Sequence, residues 1–337
     1  MEFDERTYLS QVRRLRDLAH EVLTHYRLGK YELDFINHGE NATFKVKTAK
    51  KNYLLRIHCR SHRSKKAILE ELKWFKSLTL KTDIDVQRPI KTKDGKLLIE
   101  VENESMGHTR ICNILEWCPG FIKNQKNSDT FYKVGQLIGS LQSNQIKSKY
   151  RHYWHAEGLL GKDATFGNLK ALDTMFPRYT DQLEKNRTIV LKALKTYEKK
   201  HPEKIGLIHA DLHFGNMVWK NGEVVPIDFD DCGYGLLMYD LAVTLAQSGN
   251  YFKRIGKKKS RLAKEMLLAG YEESIVLSQH DREIIPYLVA ARELTMLGWL
   301  YGRRDNPELL EHLKKNIGKR ITRTERYIKE AKEKRYF

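Results

Sequence analysis

The chain has 337 residues, 41% hydrophobic and 31% charged, enough for a sizeable core in two lobes, and it holds no run of about 18 apolar residues that would span a bilayer. Lys and Arg number 61 against 43 Asp and Glu, and the net charge of +18 favours acidic partners, although no RNA- or DNA-binding motif accompanies it. Four cysteines (Cys59, Cys112, Cys118 and Cys232) show neither C-x-x-C nor Cys/His metal spacing, and Met1-Glu2-Phe3-Asp4 puts charge where a signal peptide has its apolar core, so the expectation is a soluble, reduced, cytoplasmic protein.

Tyr8, Val12, Leu15, Leu18, Val22 and Tyr26 recur every three or four positions and predict an amphipathic helix over 4–26. Strands follow near 31–37, 42–48 and 53–58, the first two joined by the turn-rich Asn37-His38-Gly39-Glu40-Asn41. The next helix, about 63–79, carries two neighbouring acids. At 100° per residue Glu71 lies on the stripe of Ile68, Phe75 and Leu78, which faces the interior, while Glu70 lies towards Ser77 and Lys73. Further strands are predicted at 86–90 and 96–102, joined by Lys93-Asp94-Gly95, and at 112–117, ended by Cys118-Pro119-Gly120. That Pro-Gly marks the boundary between an N-lobe (1–117) and a C-lobe (118–337).

The remainder reads mainly helical, over 128–146, 183–200, 237–249, 258–277, 281–301 and 306–333, with a looser stretch from 150 to 180. Residues 313–337 hold ten Lys/Arg and three Asp/Glu, so +7 of the charge sits there, read as a solvated helix face.

Residues 209–231 are the most informative segment. His209-Ala210-Asp211-Leu212-His213-Phe214-Gly215-Asn216 forms a polar loop, Met217-Val218-Trp219 a strand, Lys220-Asn221-Gly222-Glu223 a hairpin turn, and Val224-Val225-Pro226-Ile227 the return strand ahead of Asp228-Phe229-Asp230-Asp231. The hairpin places Asn216 and Asp228 near each other, with Asp211 beside them. Phosphoryl transfer from a Mg-nucleotide needs such groups: a carboxylate for the acceptor hydroxyl, and an Asn and an Asp for the metal. His209, Asp211, Leu212 and Asn216 match the pattern H-R-D-L-x-x-x-N, and Asp228-Phe229 begins D-F-G. Ala210 stands where Arg would pair with an activation-loop phosphate, and Asp230 replaces the glycine.

With Tyr239-Asp240-Leu241-Ala242, Gly39-Glu40-Asn41-Ala42-Thr43-Phe44, Leu54-Leu55-Arg56-Ile57-His58 and Gly298-Trp299, these phrases resemble the aminoglycoside phosphotransferase/choline kinase superfamily. Within it they are similar to the bacterial branch that includes homoserine kinase type II and stress-response kinase. The resemblance implies an α+β, bilobal protein-kinase-like fold, with a small antiparallel sheet and helices in the N-lobe and a larger, mainly helical C-lobe. It implies ATP, with GTP as an alternative, and Mg²⁺ as cofactors. It implies that Asp211 is catalytic, that Asn216 and Asp228 bind the metal, and that Asn41 lies in the loop over the nucleotide phosphates. Arg56 then takes the place of the phosphate-binding lysine, with Glu71 as its acidic partner, and Glu116 to Cys118 form a hinge that meets the base through the backbone. Asp240 is expected to anchor the catalytic loop, His209 to pack and orient it, and His213 to have a surface role.

The expected activity is transfer of the γ-phosphate to a hydroxyl of a small molecule: an amino alcohol, a sugar, a homoserine-like compound or an antibiotic. A polycationic aminoglycoside ranks below a metabolic acceptor because of the +18 charge. The alternatives are a protein kinase acting on Ser/Thr, as in the stress-response type, and a nucleotide-binding pseudokinase or scaffold.

Overall fold

A computed structural model describes residues 6–39, 41–58, 64–103, 108–123, 126–146, 153–166 and 168–337. Glu40 and Cys59, both used above, lie outside the described residues. The chain divides into two compact units, Met1–Pro119 and Gly120–Phe337.

The first unit opens with α1 (Tyr8–Leu23), started by Thr7, whose hydroxyl accepts from the Ser10 N–H. It continues through β1 (Tyr31–His38), β2 (Asn41–Thr48), β3 (Asn52–His58), α2 (Lys65–Lys81), β4 (Pro89–Ile90), β5 (Ile99–Asn103) and β6 (His108–Glu116). The sheet is antiparallel throughout, in the order β1-β2-β3-β6, and the far edge of β6 is shared by β4 and β5. The strand predicted over 86–90 is only Pro89–Ile90. The backbone of the residues before it is used elsewhere: Arg88 accepts from the Glu116 N–H.

Strand periodicity decides which side chains reach which face of the sheet. Leu55 and Ile57 on β3 join Phe44 and Val46 on β2 and Leu15, Leu18, Ala19 and Val22 on α1 in one buried cluster. Arg56 and His58 therefore point to the opposite face. There α2 buries Ile68, Leu72, Phe75 and Leu78 around Glu71.

The second unit contains β7 (Phe121–Ile122), α3 (Ser128–Ser143), β8 (Tyr153–Trp154), α4 (Ala156–Leu160), α5 (Thr180–Lys200), β9 (Ile205–Ile208), β10 (Met217–Lys220), β11 (Glu223–Pro226), β12 (Gly233–Leu236) and then α6 (Met238–Gln247), α7 (Gly249–Ile255), α8 (Lys257–Glu272), α9 (Gln279–Gly302) and α10 (Pro307–Lys332). Two three-stranded sheets, β11-β10-β7 and β8-β12-β9, flank the polar loop. The architecture is thus α+β, with the larger sheet in the first unit and a mainly helical second unit.

Where apolar spacing predicts one helix over 237–249, the chain forms α6 and a separate α7. The Ser248 N–H and hydroxyl both turn back onto Thr244, closing α6 before Gly249. α3 and α8 cross very closely. A Cβ at Gly135 would lie 2.0 Å from the Leu267 carbonyl oxygen, and one at Gly270 the same distance from that of Tyr132. Glycine at these positions lets two backbones meet. Among the described residues no helix is long and apolar enough to cross a membrane.

Candidate active site

In the first unit, Arg56 Nη2 lies 2.8 Å from Glu71 Oε1, and both side chains are buried. Glu70 instead pairs with Lys73 one turn away. The register pairs Arg56 with Asn113 on β6, and Arg56 Nε donates to Asn113 Oδ1 at 3.3 Å. The same oxygen lies 2.9 Å from His58 Nε2, and Arg110 Nη1 donates to the His58 carbonyl at 3.4 Å. Arg56 is thus held by Glu71 and Asn113, with its fixed charge suited to anionic oxygens. Asn113 and Arg110 were not singled out from the sequence, since cross-strand neighbours depend on a register that local spacing does not give.

Asn41 opens β2 opposite His58 and is buried; its carbonyl accepts from the Gly39 N–H at 3.2 Å. At the expected hinge, the backbone of Glu116 and Trp117 is partly engaged within the first unit. The Glu116 N–H donates to Arg88 O at 2.8 Å, its carbonyl accepts from Gln87 Nε2 at 3.1 Å, and the Trp117 N–H donates to Asn52 O at 3.1 Å. The sheet edge uses both N–H groups, while a carbonyl oxygen keeps a second lone pair for a further donor. Cys118, just past the end of β6, is half-buried.

In the second unit the polar loop is gripped from α6. Asp240, fully buried, accepts from the His209 N–H at 3.1 Å and the Ala210 N–H at 2.7 Å. One turn later, the Thr244 hydroxyl donates to Leu212 O at 2.7 Å. Asp240 is itself held by Gln142 of α3 at 3.0 Å, and Gln142 accepts from the Tyr271 hydroxyl of α8 at 2.7 Å. These bonds sustain Ala210 at φ 67°, left-handed backbone that a non-glycine residue seldom adopts. His209 is buried, with Nε2 3.1 Å from Ile227 O and its ring 4.4 Å from that of Phe229. Burial pushes its imidazole towards the neutral form, against the pull of Asp240 and Asp211.

Asp211 is thereby presented half-buried. Asn216 Nδ2 donates to its carbonyl at 3.0 Å and to Oδ2 at 3.1 Å. Both amide hydrogens of Asn216 are thus directed at Asp211, and Oδ1 is the atom it can offer a metal. His213 belongs to the site and not merely to the surface, since its Nε2 lies 3.4 Å from Asp211 Oδ2 while Nδ1 accepts from the Gly215 N–H at 2.9 Å. The strongest partner of Asp211 is Arg292 of α9, whose Nη2 donates to Oδ1. Burial alone would raise the Asp211 carboxyl; the charge of Arg292 and the bond from His213 outweigh it and bring the pKa down from 3.8 to about 2.

The hairpin closes on Asn221-Gly222, with φ 51° and 85°, in the register Lys220↔Glu223 to Met217↔Pro226. One more bond, from the Ile227 N–H to Asn216 O at 2.9 Å, extends the ladder, so Asp228 is the next residue after the partner of Asn216. Its φ of 62° turns the chain sharply there, and Asp228 is exposed. Oxygen ligands from an Asn and an Asp suit a hard divalent cation. Among the described residues no group of three or more His, Cys, Asp or Glu forms a metal cage, and Mg²⁺ commonly takes only one or two protein ligands, with phosphates and water completing its shell.

Residues 32–281 match the model of the phosphotransferase enzyme family. The chain is 25% identical over 292 residues to the amicoumacin kinase of Bacillus subtilis (strain 168), covering 83% of each chain. Among solved structures it resembles a microcompartment-associated aminopropanol kinase, with TM-score 0.76 and 24% identity over 94% of this chain and 96% of that one. It also resembles the amicoumacin kinase hAmiN in complex with AMP-PNP, Ca²⁺ and Ami, with TM-score 0.69 and 23% identity over 95% and 93%. These likenesses show the kinase-like fold.

Proposed function

The chain belongs to the phosphotransferase enzyme family and is a phosphotransferase with an alcohol group as acceptor; on that premise we propose that it moves the γ-phosphate of Mg-ATP to a hydroxyl of a small molecule. The observation that carries this reading is the fixed placement of Asp211: its loop is clamped by Asp240 and Thr244, and its carboxylate is tied to Asn216, one residue pair from Asp228.

Asp211 receives the hydroxyl and aims its oxygen at the γ-phosphorus. A carboxylate held near pKa 2 is a weak base, so it orients the hydroxyl and takes the proton late. That suits a loose transition state, in which the attacking oxygen has gained little bonding and positioning supplies most of the rate. Asn216 Oδ1 and Asp228 would hold the metal, which when bound would neutralise phosphate charge. Arg56, fixed by Glu71 and Asn113, holds phosphate oxygens through a guanidinium that cannot lose its charge. The nucleotide and Ca²⁺ named for the amicoumacin kinase complex support ATP and a divalent cation here.

ADP release with a library of hydroxyl metabolites tests this. Asp211→Asn is expected to lower turnover by about 10²- to 10⁴-fold with Mg-ATP affinity nearly unchanged, whereas Asp228→Asn weakens metal-dependent nucleotide binding. Full turnover in Asp211→Asn removes that residue from the role.

A further inference from the structure

Arg292 faces more than Asp211. Its side chain also lines a cavity of about 350 Å³, bounded by the C-terminal end of α6 and by α9 and α10. That volume suits a small molecule. Its charged and hydrogen-bonding lining includes Arg292, Glu293, His312, Asn316, Arg320 and Arg323.

Glu293 is buried and engages two of these arginines. Arg320 Nη1 donates to it at 2.6 Å, and Arg323 donates through Nε at 2.8 Å and Nη2 at 2.9 Å. One carboxylate thus serves two guanidiniums, and a third, Arg292, shares the wall. Among the described residues, Arg320 Nε is buried without a hydrogen-bond partner, and Arg292 Nε and Nη1 make no hydrogen bond of good geometry, the buried Tyr239 hydroxyl being the neutral group beside this guanidinium. Arg292 is 4% exposed, so water does not freely replace the missing acceptors. Burial pushes the Arg320 pKa down, Glu293 opposes this, and crowding by Arg323 and Arg292 pushes it further the same way. An anion in the cavity would supply the missing acceptors and relieve the crowding.

We propose that this cavity holds the anionic group of the acceptor, so that the substrate is a small hydroxyl compound bearing a carboxylate or phosphate. The inference rests on the phosphotransferase reading of Asp211. Arg292 joins the two halves of the recognition. Its Nη2 fixes Asp211 and its side chain also lines the cavity, so an anion held there lies next to the residue that orients the catalytic carboxylate. Amino alcohols and polycationic antibiotics would bring positive charge to a wall that already carries three guanidiniums.

Calorimetry on the full chain with D-glycerate, glycerol 3-phosphate, 1-amino-2-propanol and propane-1,2-diol tests the proposal. At least one of the two anions is expected to bind about tenfold or more tightly than the amine and the diol, and the difference between the two anions assigns carboxylate or phosphate. Arg320→Gln should weaken anion binding about tenfold, with Arg320→Lys retaining part of it and Mg-ATP binding unchanged. Asn316→Asp, at a half-buried position outside the arginine cluster, adds a repelling charge and should weaken anion binding without disturbing the fold. Tighter binding of the amine, or anion affinity indifferent to both substitutions, overturns the proposal. ADP release measured alongside separates the two claims. Anion binding without transfer to any acceptor supports the anion site and sinks the phosphotransferase reading, while turnover that favours the amine sinks only the anion site.

Discussion

Arg292 sets the working charge of Asp211. Burial opposes ionisation of that carboxylate and Arg292 reverses the balance, so the pKa falls from 3.8 to about 2. A depressed carboxylate pKa stabilises the folded chain above the unfolded value of about 4, and the contribution is lost as pH falls towards 2. For catalysis, Asp211 should therefore cause no acid limb in kcat/KM above about pH 4. In Arg292→Gln the remaining burial raises the carboxyl, and an acid limb should appear at higher pH. A pH–rate profile of the variant that matches the parent's would show that Arg292 does not govern Asp211. The sequence showed Asp211, Asn216 and Asp228 because they lie within one loop and one hairpin, where spacing nearly fixes geometry. Arg292 is 81 residues from Asp211 and reaches it through tertiary packing alone, so no local pattern marks it. His213 was legible as a polar neighbour, but its contact with Asp211 depends on the turn that its own Nδ1 closes with Gly215.

The loop that carries Asp211 owes its conformation to neighbouring helices. α6 presents Asp240 and Thr244 one turn apart, on the face towards the loop, and the buried series Tyr271–Gln142–Asp240 links α8 and α3 to it. Asp240 could be anticipated from its place at the start of an apolar helix, but Gln142 and Tyr271 could not. The α3–α8 crossing depends on Gly135 and Gly270, and a methyl group at Gly270 would meet a backbone carbonyl that cannot swing aside. Gly270→Ala should destabilise the chain by about 1–3 kcal/mol or more by overpacking, seen as a lower urea midpoint. An unchanged midpoint would show that the two helices can separate at little cost. Helix ends were less legible than helix interiors, as at 247–249, because Ser248 ends α6 through bonds to its own preceding turn.

At the scale of the whole molecule, strands followed by helices made the α+β architecture readable, since each element announced itself by its own periodicity. The charge was read less well. Part of the basic surplus in 313–337 is not a solvated face: Arg320 and Arg323 of α10 turn inward onto Glu293 of α9. Apolar spacing does show one side of α10 buried, through Leu313, Ile317, Ile321 and Ile328, but it does not show which cations lie at the edge of that side. The proposed anion site was unreadable for the same reason, because its walls come from helices far apart in the chain. The central claim, transfer from Mg-ATP to a small hydroxyl compound through Asp211, is tested most directly with γ-labelled ATP and a metabolite-containing cell extract separated by size. A labelled small product other than ATP and inorganic phosphate, resolved by chromatography of the small-molecule fraction, is expected above the extract-alone background with the parent chain and not with Asp211→Asn. New label confined to protein, or an equal amount of that small product with the variant, would contradict it.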